Sequence, residues 1–237
     1  MAVMQRHTMG AGLDAERQLL DRIYDGQHDS GLLLWRPLHA ALVMPRRMSR
    51  LPAFETAQRA CLEQGWPIAL RDTGGEPVPQ SSAVLNVALA YAVPRDENEL
   101  TRIETAYLRL CQPLCDWLAD LGLEPGLGEV EGAFCDGRFN VNLEGRKLVG
   151  TAQRWRRRQS DGRHVVLAHG AILMGNQRVA MVEVVNTFYR ECGLGTRCRA
   201  GSHIALEECR ADAWDASGQL AGYYRRMLDA AGIATGL

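Results

Sequence analysis

The chain contains no run of about 18 consecutive apolar residues, the length that a membrane-spanning helix needs. Its first residues lack the apolar core of a secretory signal, so a soluble, cytoplasmic protein with no membrane partner is expected. Excess charge is also missing. The 27 Lys and Arg are offset by 28 Asp and Glu, leaving a net charge of -1 and a pI near 6.6. A general nucleic-acid binder needs a basic surface to neutralise phosphates, and that class is set aside. There is no internal repeat, no low-complexity tract and no linker-like shift in composition. The seven cysteines are an odd number scattered through apolar or helical context, which argues for free thiols in a reducing compartment. At 237 residues the chain can bury a substantial single core. One domain over residues 13–237, preceded by a flexible arm of residues 1–12, is the expectation.

Apolar spacings of three and four predict helices over 13–24, 53–64, 96–121, 179–192 and 219–231. Gly65, Gly122 and Gly193 stand just past three of them, where a helix commonly stops. Short strands are read at 32–35, 40–44, 67–71 and 83–91. Between Phe139 and Leu143 apolar and asparagine positions alternate, Glu144-Gly145 makes a two-residue turn, and a second strand covers 146–152. That register sets Leu143 opposite Arg146 and Asn142 opposite Lys147. Lys147 then shares a face with Asn140, Asn142 and Thr151, while Phe139, Val141 and Leu148 fill the other. Such a polar face is either the solvent side of a half-buried sheet or the wall of a site. The turn Ser160-Asp161-Gly162 leads into an apolar strand over 164–174, completing a three-stranded meander. Strands and helices mixed in this way make an α/β (α+β) domain.

Several blocks resemble the lipoate-protein ligase and octanoyltransferase family, whose catalytic domain is shared with biotin-protein ligases. ALRDTGGEPV at 69–78 resembles the family's TGG loop, and Leu85-Asn86-Val87 resembles the asparagine-bearing strand after it. GRKLVGTAQ at 145–153 resembles the block whose lysine contacts the acyl group, and His169-Gly170 resembles the HG pair on the next strand. The resemblance implies a central mixed, largely antiparallel sheet flanked by helices, with an acyl pocket between the TGG loop and the lysine hairpin. It implies attachment of a lipoyl or octanoyl group to a lysine of a lipoyl-domain acceptor. It assigns the acyl-contacting lysine to Lys147. The pocket wall falls to Arg71, Thr73, Gly74, Gly75 and Asn86, and to Gly150, Thr151, Ala152, Gln153 and Gly170.

There are departures as well. Glu76, Pro77, Val78 and Gln80 stand where family ligases commonly carry a third glycine, Ala-Val and a histidine. Glycine is wanted where backbone must approach a phosphate closely, so the bulk and negative charge of Glu76 count against ATP and magnesium as co-substrates. The C-terminal accessory domain of the longer ligases is expected to be absent.

Cys135 lies just before the hairpin, and octanoyltransferases of this family carry the acyl chain on a cysteine. A thiolate attacks a thioester and keeps the acyl group activated for an amine. The bland alternative is a buried apolar cysteine. The Lys147 ammonium could stabilise charge developing on the acyl oxygen. His169 is either a base for thiol or amine, or a hydrogen-bonded core histidine. Arg154, Arg156, Arg157 and Arg158 around Trp155 read as a solvated hairpin tip or as a dock for an acidic lipoyl domain or acyl carrier protein. Cys192, Cys198, His203 and Cys209 follow no close-pair zinc spacing, and Cys111 and Cys115 sit one helical turn apart as packing residues, so no structural metal is expected. No firmly bound cofactor is expected, only lipoate or an octanoyl thioester as substrate. Two routes remain open: transfer from a carrier thioester through Cys135, or ligation of free lipoate through an acyl-adenylate. The rival from another class is a non-catalytic module that holds an acyl group or acyl-adenylate as sensor or scaffold.

Overall fold

Val84–Ala92 is buried at every position, the signature of a strand covered on both faces. In the structure, a computed structural model that describes residues 4–195 and 198–235, it lies near the middle of the larger of two sheets. The strands are β1 (Gln5–His7), β2 (Ser30–Pro37), β3 (Ala41–Pro45), β4 (Ile68–Arg71), β5 (Val78–Gln80) and β6 (Val84–Ala92). They continue with β7 (Pro125–Leu127), β8 (Val141–Leu143), β9 (Arg146–Arg157) and β10 (His164–Leu173). The large sheet runs β1-β2-β6-β10-β9-β8-β7, with β1 parallel to β2 and every other pair antiparallel. The large sheet is the expected central, largely antiparallel one, and a second, smaller sheet runs β4-β3-β5 beside it. β5 and β7 are three residues each, too short to show a period-two pattern.

The helices are α1 (Met9–Tyr24), α2 (Phe54–Glu63), α3 (Arg102–Asp120), α4 (Arg178–Glu191), α5 (Ala213–Ala216) and α6 (Leu220–Ala230). α3 and α6 close one face of the large sheet, packing Leu110, Leu114, Trp117 and Tyr224 on Leu89, Val166 and Ala168. On the other face α1 lies over Leu33, Trp35, Ala88 and Leu167, while α2 and α4 pack with the small sheet. Among the described residues no helix is long and apolar enough to cross a membrane.

The expected arm of residues 1–12 does not hold over its described part. Gln5–His7 pair with β2, and α1 begins at Met9, four residues before the expected start. Thr8 caps it, its hydroxyl accepting from the Ala11 N–H. α3 begins later than expected, at Arg102, because the Asn98 side chain accepts the Leu100 N–H and turns the chain first.

The hairpin register is the expected one, with Asn142 opposite Lys147 and Leu143 opposite Arg146. Val141, however, pairs with Val149, so Leu148 is an extra residue, a β-bulge. The bulge reverses the parity of everything after it. Lys147 therefore shares a face with Gly150, whose Cβ would lie 3.2 Å from the Lys147 Nζ. Thr151 moves to the opposite face, which corrects its placement beside Lys147.

Candidate active site

On the face away from α3, His169 and Ala171 of β10 stand opposite Ala152 and Gly150 of β9 on one side and Ala88 and Asn86 of β6 on the other. Glycine and alanine leave this floor low. The roof comes from Met9, Leu13 and Glu16 of α1, from Val43, Val78 and Gln80 of the small sheet, and from Arg71 and Cys135. The cavity between them has an empty volume of about 520 Å³ and opens to solvent. Asn86 and Gln80 exchange two amide hydrogen bonds of 3.0 and 3.1 Å at its wall. A neighbouring cavity of about 360 Å³ is lined by Lys147, Phe134 and His203 and shares Val78, Gly150 and Ala171 with the first.

Cys135 meets the TGG loop directly. Gly75 has φ +96°, and a Cβ there would lie 2.9 Å from the Cys135 Sγ and 3.0 Å from Arg71 Nη2, so glycine is required twice over. The Glu76 N–H donates to Cys135 Sγ at 3.3 Å. Cys135 itself has φ 49°, an uncommon conformation for a residue other than glycine. Arg71 is buried and donates to the carbonyls of Val43, Gly74 and Glu76, which folds the loop around its guanidinium. Burial lowers its proton affinity and Cys135 acts in the opposite sense, yet a guanidinium stays charged in a protein. Elsewhere burial pushes the Cys61 and Cys111 thiols up to about 12, which keeps them protonated and inert.

Lys147 is only 3% exposed. Its Nζ donates to the carbonyls of Phe134 and Cys135 at 2.7 and 2.6 Å, pinning the cysteine loop from beneath. Burial pulls its ammonium down to about 8, against the opposing pull of Cys135 and Asp136. Asp136 braces the same loop by accepting from the N–H groups of Val130 and Gly137 and from Asn140 Nδ2. His203 stacks on Phe134 and accepts the Phe134 N–H at 3.1 Å. Burial, with Lys147 close by, holds His203 down to about 4, in the neutral form that accepts.

His169 bridges two elements. Its Nε2 is 3.1 Å from the Thr73 hydroxyl and its Nδ1 is 3.1 Å from Glu16 Oε2. The other Glu16 oxygen accepts from Trp35 Nε1 at 2.9 Å.

The structure thus brings Cys135, His169, Arg71, Asn86, Gly150 and Ala152 to one cavity, with Thr73 bound to His169 and Gly74 in the loop above. Lys147 serves the neighbouring cavity and the cysteine loop. Thr151 borders the cavity, but its hydroxyl donates to the Phe139 carbonyl. Gln153 and Gly170 belong to the α3 face. Gln153 donates to the Ile103 carbonyl, and a Cβ on Gly170 would meet Val149 and Leu110. The arginine run does not form an open patch: Arg158 is 6% exposed and bound to Asp161, and Arg156 pairs with Asp21 and lies over Tyr24. Arg154 lines a smaller pocket beside the cavity with Arg71, Asp72, Thr73 and His169, and lies 2.7 Å from Asp72, where Arg46 also binds. Hydrogen bonds from Arg46 and Arg154 hold the Asp72 carboxyl below the usual carboxylate range.

Glu16 and His203 escape the sequence reading. A signal existed for Glu16: with Gly12, Leu19, Leu20 and Ile23 it lies on the buried face of α1, where a lone carboxylate is out of place. Another signal was available for Lys147, the only lysine among the 27 basic residues of the chain.

The site is thus a cavity over a small-residue sheet floor, roofed by a glycine loop and a cysteine loop. The sequence matches the lipoyl protein ligase A/B catalytic domain over residues 10–199, and the chain belongs to that family. An uncharacterised protein of Cupriavidus necator is 37% identical, over 85% of this chain and 83% of that one. An octanoyl-GcvH:protein N-octanoyltransferase of Kyrpidia tusciae is 34% identical over 54% of this chain and 44% of its own length. The chain spans about half the length of the curated transferases it matches. Among solved structures, a lipoate-protein ligase A bound with ATP superposes with a TM-score of 0.66 over 98% of this chain and 85% of that one, at 14% identity. The bipartite lipoate protein ligase of Thermoplasma acidophilum gives 0.62 over 96% and 84%, also at 14% identity. These likenesses establish the fold.

Proposed function

We propose that the protein is an acyltransferase that moves an octanoyl or lipoyl group from a carrier thioester to Cys135 and then to a lysine of a lipoyl-domain acceptor, with the chain from β1 onward acting as one catalytic domain. The observation that carries this reading is the setting of the Cys135 sulfur, which lines the cavity, packs on Gly75 and accepts the Glu76 N–H. In the first step the Cys135 sulfur attacks the donor thioester, its C–S bond forms as the donor's C–S bond breaks, and the thiol proton of Cys135 passes to the leaving carrier sulfur. The fixed cations of Arg71 and Lys147 suit the negative charge that develops there. In the second step the acceptor amine attacks, the C–S bond breaks, and His169 takes the amine proton and returns it to sulfur. The relatives named as octanoyl-GcvH:protein N-octanoyltransferases support transfer of an octanoyl group to a protein, and their name makes octanoyl-GcvH a second donor to consider beside a carrier thioester.

Ligation with ATP has less support. The Glu76 N–H is engaged by the sulfur, and its carboxylate, which accepts from the Tyr189 hydroxyl at 2.7 Å, puts negative charge in the loop that would face an adenylate phosphate. A purely binding role leaves the positive φ of Cys135 without purpose.

Intact-mass analysis of a lipoyl domain tests the reading. After incubation with this protein and octanoyl carrier protein the domain gains one octanoyl mass, and with lipoate and MgATP it gains little. Fast lipoylation from ATP, faster still in Glu76→Gly, would replace transfer with ligation, and no modification from either donor or from octanoyl-GcvH would leave only the binding module.

A further inference from the structure

The N-terminal helix carries a carboxylate for which the transfer steps above have no use. Glu16 is 4% exposed, and both of its oxygens have partners inside the protein, Trp35 Nε1 on one side and His169 Nδ1 on the other. Its placement depends on close packing one turn earlier. At Gly12 a Cβ would lie 2.2 to 2.6 Å from the Trp35 ring, so only glycine lets α1 settle onto the sheet at this point.

We propose that Glu16 is the positioning residue that fixes which nitrogen of His169 bears the proton, and so makes Nε2 the basic nitrogen beside the cavity. This rests on the acyl-transfer reading for the step that His169 serves. The polarity of the chain of contacts is set at its far end. An indole N–H can only donate, so Trp35 claims one Glu16 oxygen as acceptor. A carboxylate has a second acceptor to offer, and His169 Nδ1 must then be the donor. The lone pair is left on Nε2, where the Thr73 hydroxyl donates to it in the resting protein. When the acceptor amine attacks the acyl group on Cys135, the C–N bond forms, the C–S bond breaks, and the amine proton passes to Nε2 and from there to the departing sulfur. The carboxylate also stabilises the imidazolium that exists between these two transfers.

The same logic gives a sharp test in Glu16→Gln, which keeps the shape of the side chain. Its amide oxygen must still accept from Trp35, so its NH₂ faces His169 Nδ1, makes that nitrogen an acceptor and moves the proton to Nε2. We expect ¹⁵N shifts of labelled histidine, with His169 assigned through His169→Gln, to report Nδ1–H in the parent protein and Nε2–H in the variant. In single turnover, acylation of Cys135 by octanoyl carrier protein should proceed, while transfer from preformed acyl-Cys135 to a lipoyl domain slows on the order of 10²-fold without a matching rise in KM for the acceptor. Adding Trp35→Phe frees the glutamine amide to rotate, and part of the lost rate and the original tautomer return. Parent-like His169 shifts and parent-like transfer in Glu16→Gln would overturn the proposal. A parent protein that forms no acyl adduct on Cys135 would sink the transfer reading and the role of His169 in it, and the ¹⁵N shifts would still decide the tautomer.

Discussion

β9 and β10 present two faces built from alternate residues of the same strands. Toward α3, Val149, Ala168 and Ile172 pack with Leu110 and Leu114, and even Gly170 is filled against Val149 and Leu110. Toward α1, Gly150, Ala152 and Ala171 leave a gap, and the polar groups around it are tied in pairs: Asn86 to Gln80, His169 to Glu16 and Thr73. One face holds the fold together, and the other keeps reactive groups rigid over empty space. A site of this kind is made by omitting volume on one side of a sheet whose other side is fully packed.

The contrast predicts opposite responses to substitution. The largest effect is expected on the packed face: Leu110→Ala should cost about 2–5 kcal/mol of stability, read from urea unfolding, while folded molecules transfer acyl groups at the parent rate. A loss of transfer in molecules shown to be folded would erase the distinction between the faces. On the open side Lys147→Met should slow transfer about 10²–10³-fold in a protein that still folds. The parent rate should also fall above about pH 8 as the buried ammonium loses its proton. Stability runs the other way for this group. Between about 8 and the ordinary lysine value of 10.5 the unfolded chain holds more protons, so the contribution of Lys147 to stability rises with pH. A transfer rate that climbs through this range would separate Lys147 from the reaction.

A smaller effect belongs to the loops. Gly75→Ala meets both a positive φ and the Cys135 sulfur and should cost about 1–3 kcal/mol together with transfer. Gly74→Ala, where no atom of the described residues stands within 4 Å of a Cβ, should do neither, and equal losses in the two variants would remove the close packing of Cys135 on Gly75 from the account. The smallest effect is the acid dependence of His203, held down to about 4 against an ordinary 6.5. Its contribution to stability is complete above 6.5 and is lost as pH falls toward 4, because the unfolded chain takes up the proton first. His203→Gln should flatten urea midpoints between pH 7 and 5, and an unchanged slope would assign the acid dependence to other groups.

Much of this was legible in sequence where local rules act alone. The Glu144-Gly145 turn fixed the partners of Asn142 and Leu143, and Gly65, Gly122 and Gly193 all adopt the positive φ that ends a helix. The bulge at Leu148 was not legible, since one extra residue in an apolar strand carries no composition signal, yet it decides that Lys147 and not Thr151 shares the face of Gly150. Distance along the chain hid the rest. Glu16 meets His169, and His203 meets Phe134, only through tertiary packing, and the arginine run looked open because two of its partners, Asp21 and Asp72, come from separate segments, while Asp161 lies in the adjoining turn.

The most direct measurement is trapping of the acyl-enzyme. Brief incubation with octanoyl carrier protein, followed by intact-mass and peptide analysis, should place one octanoyl group on Cys135, released by hydroxylamine as a thioester is and passed to a lipoyl domain on mixing. Cys135→Ala should carry no adduct and give no transfer. An alanine variant that octanoylates the lipoyl domain at the parent rate, or an adduct that resists hydroxylamine, would contradict a mechanism built on this sulfur.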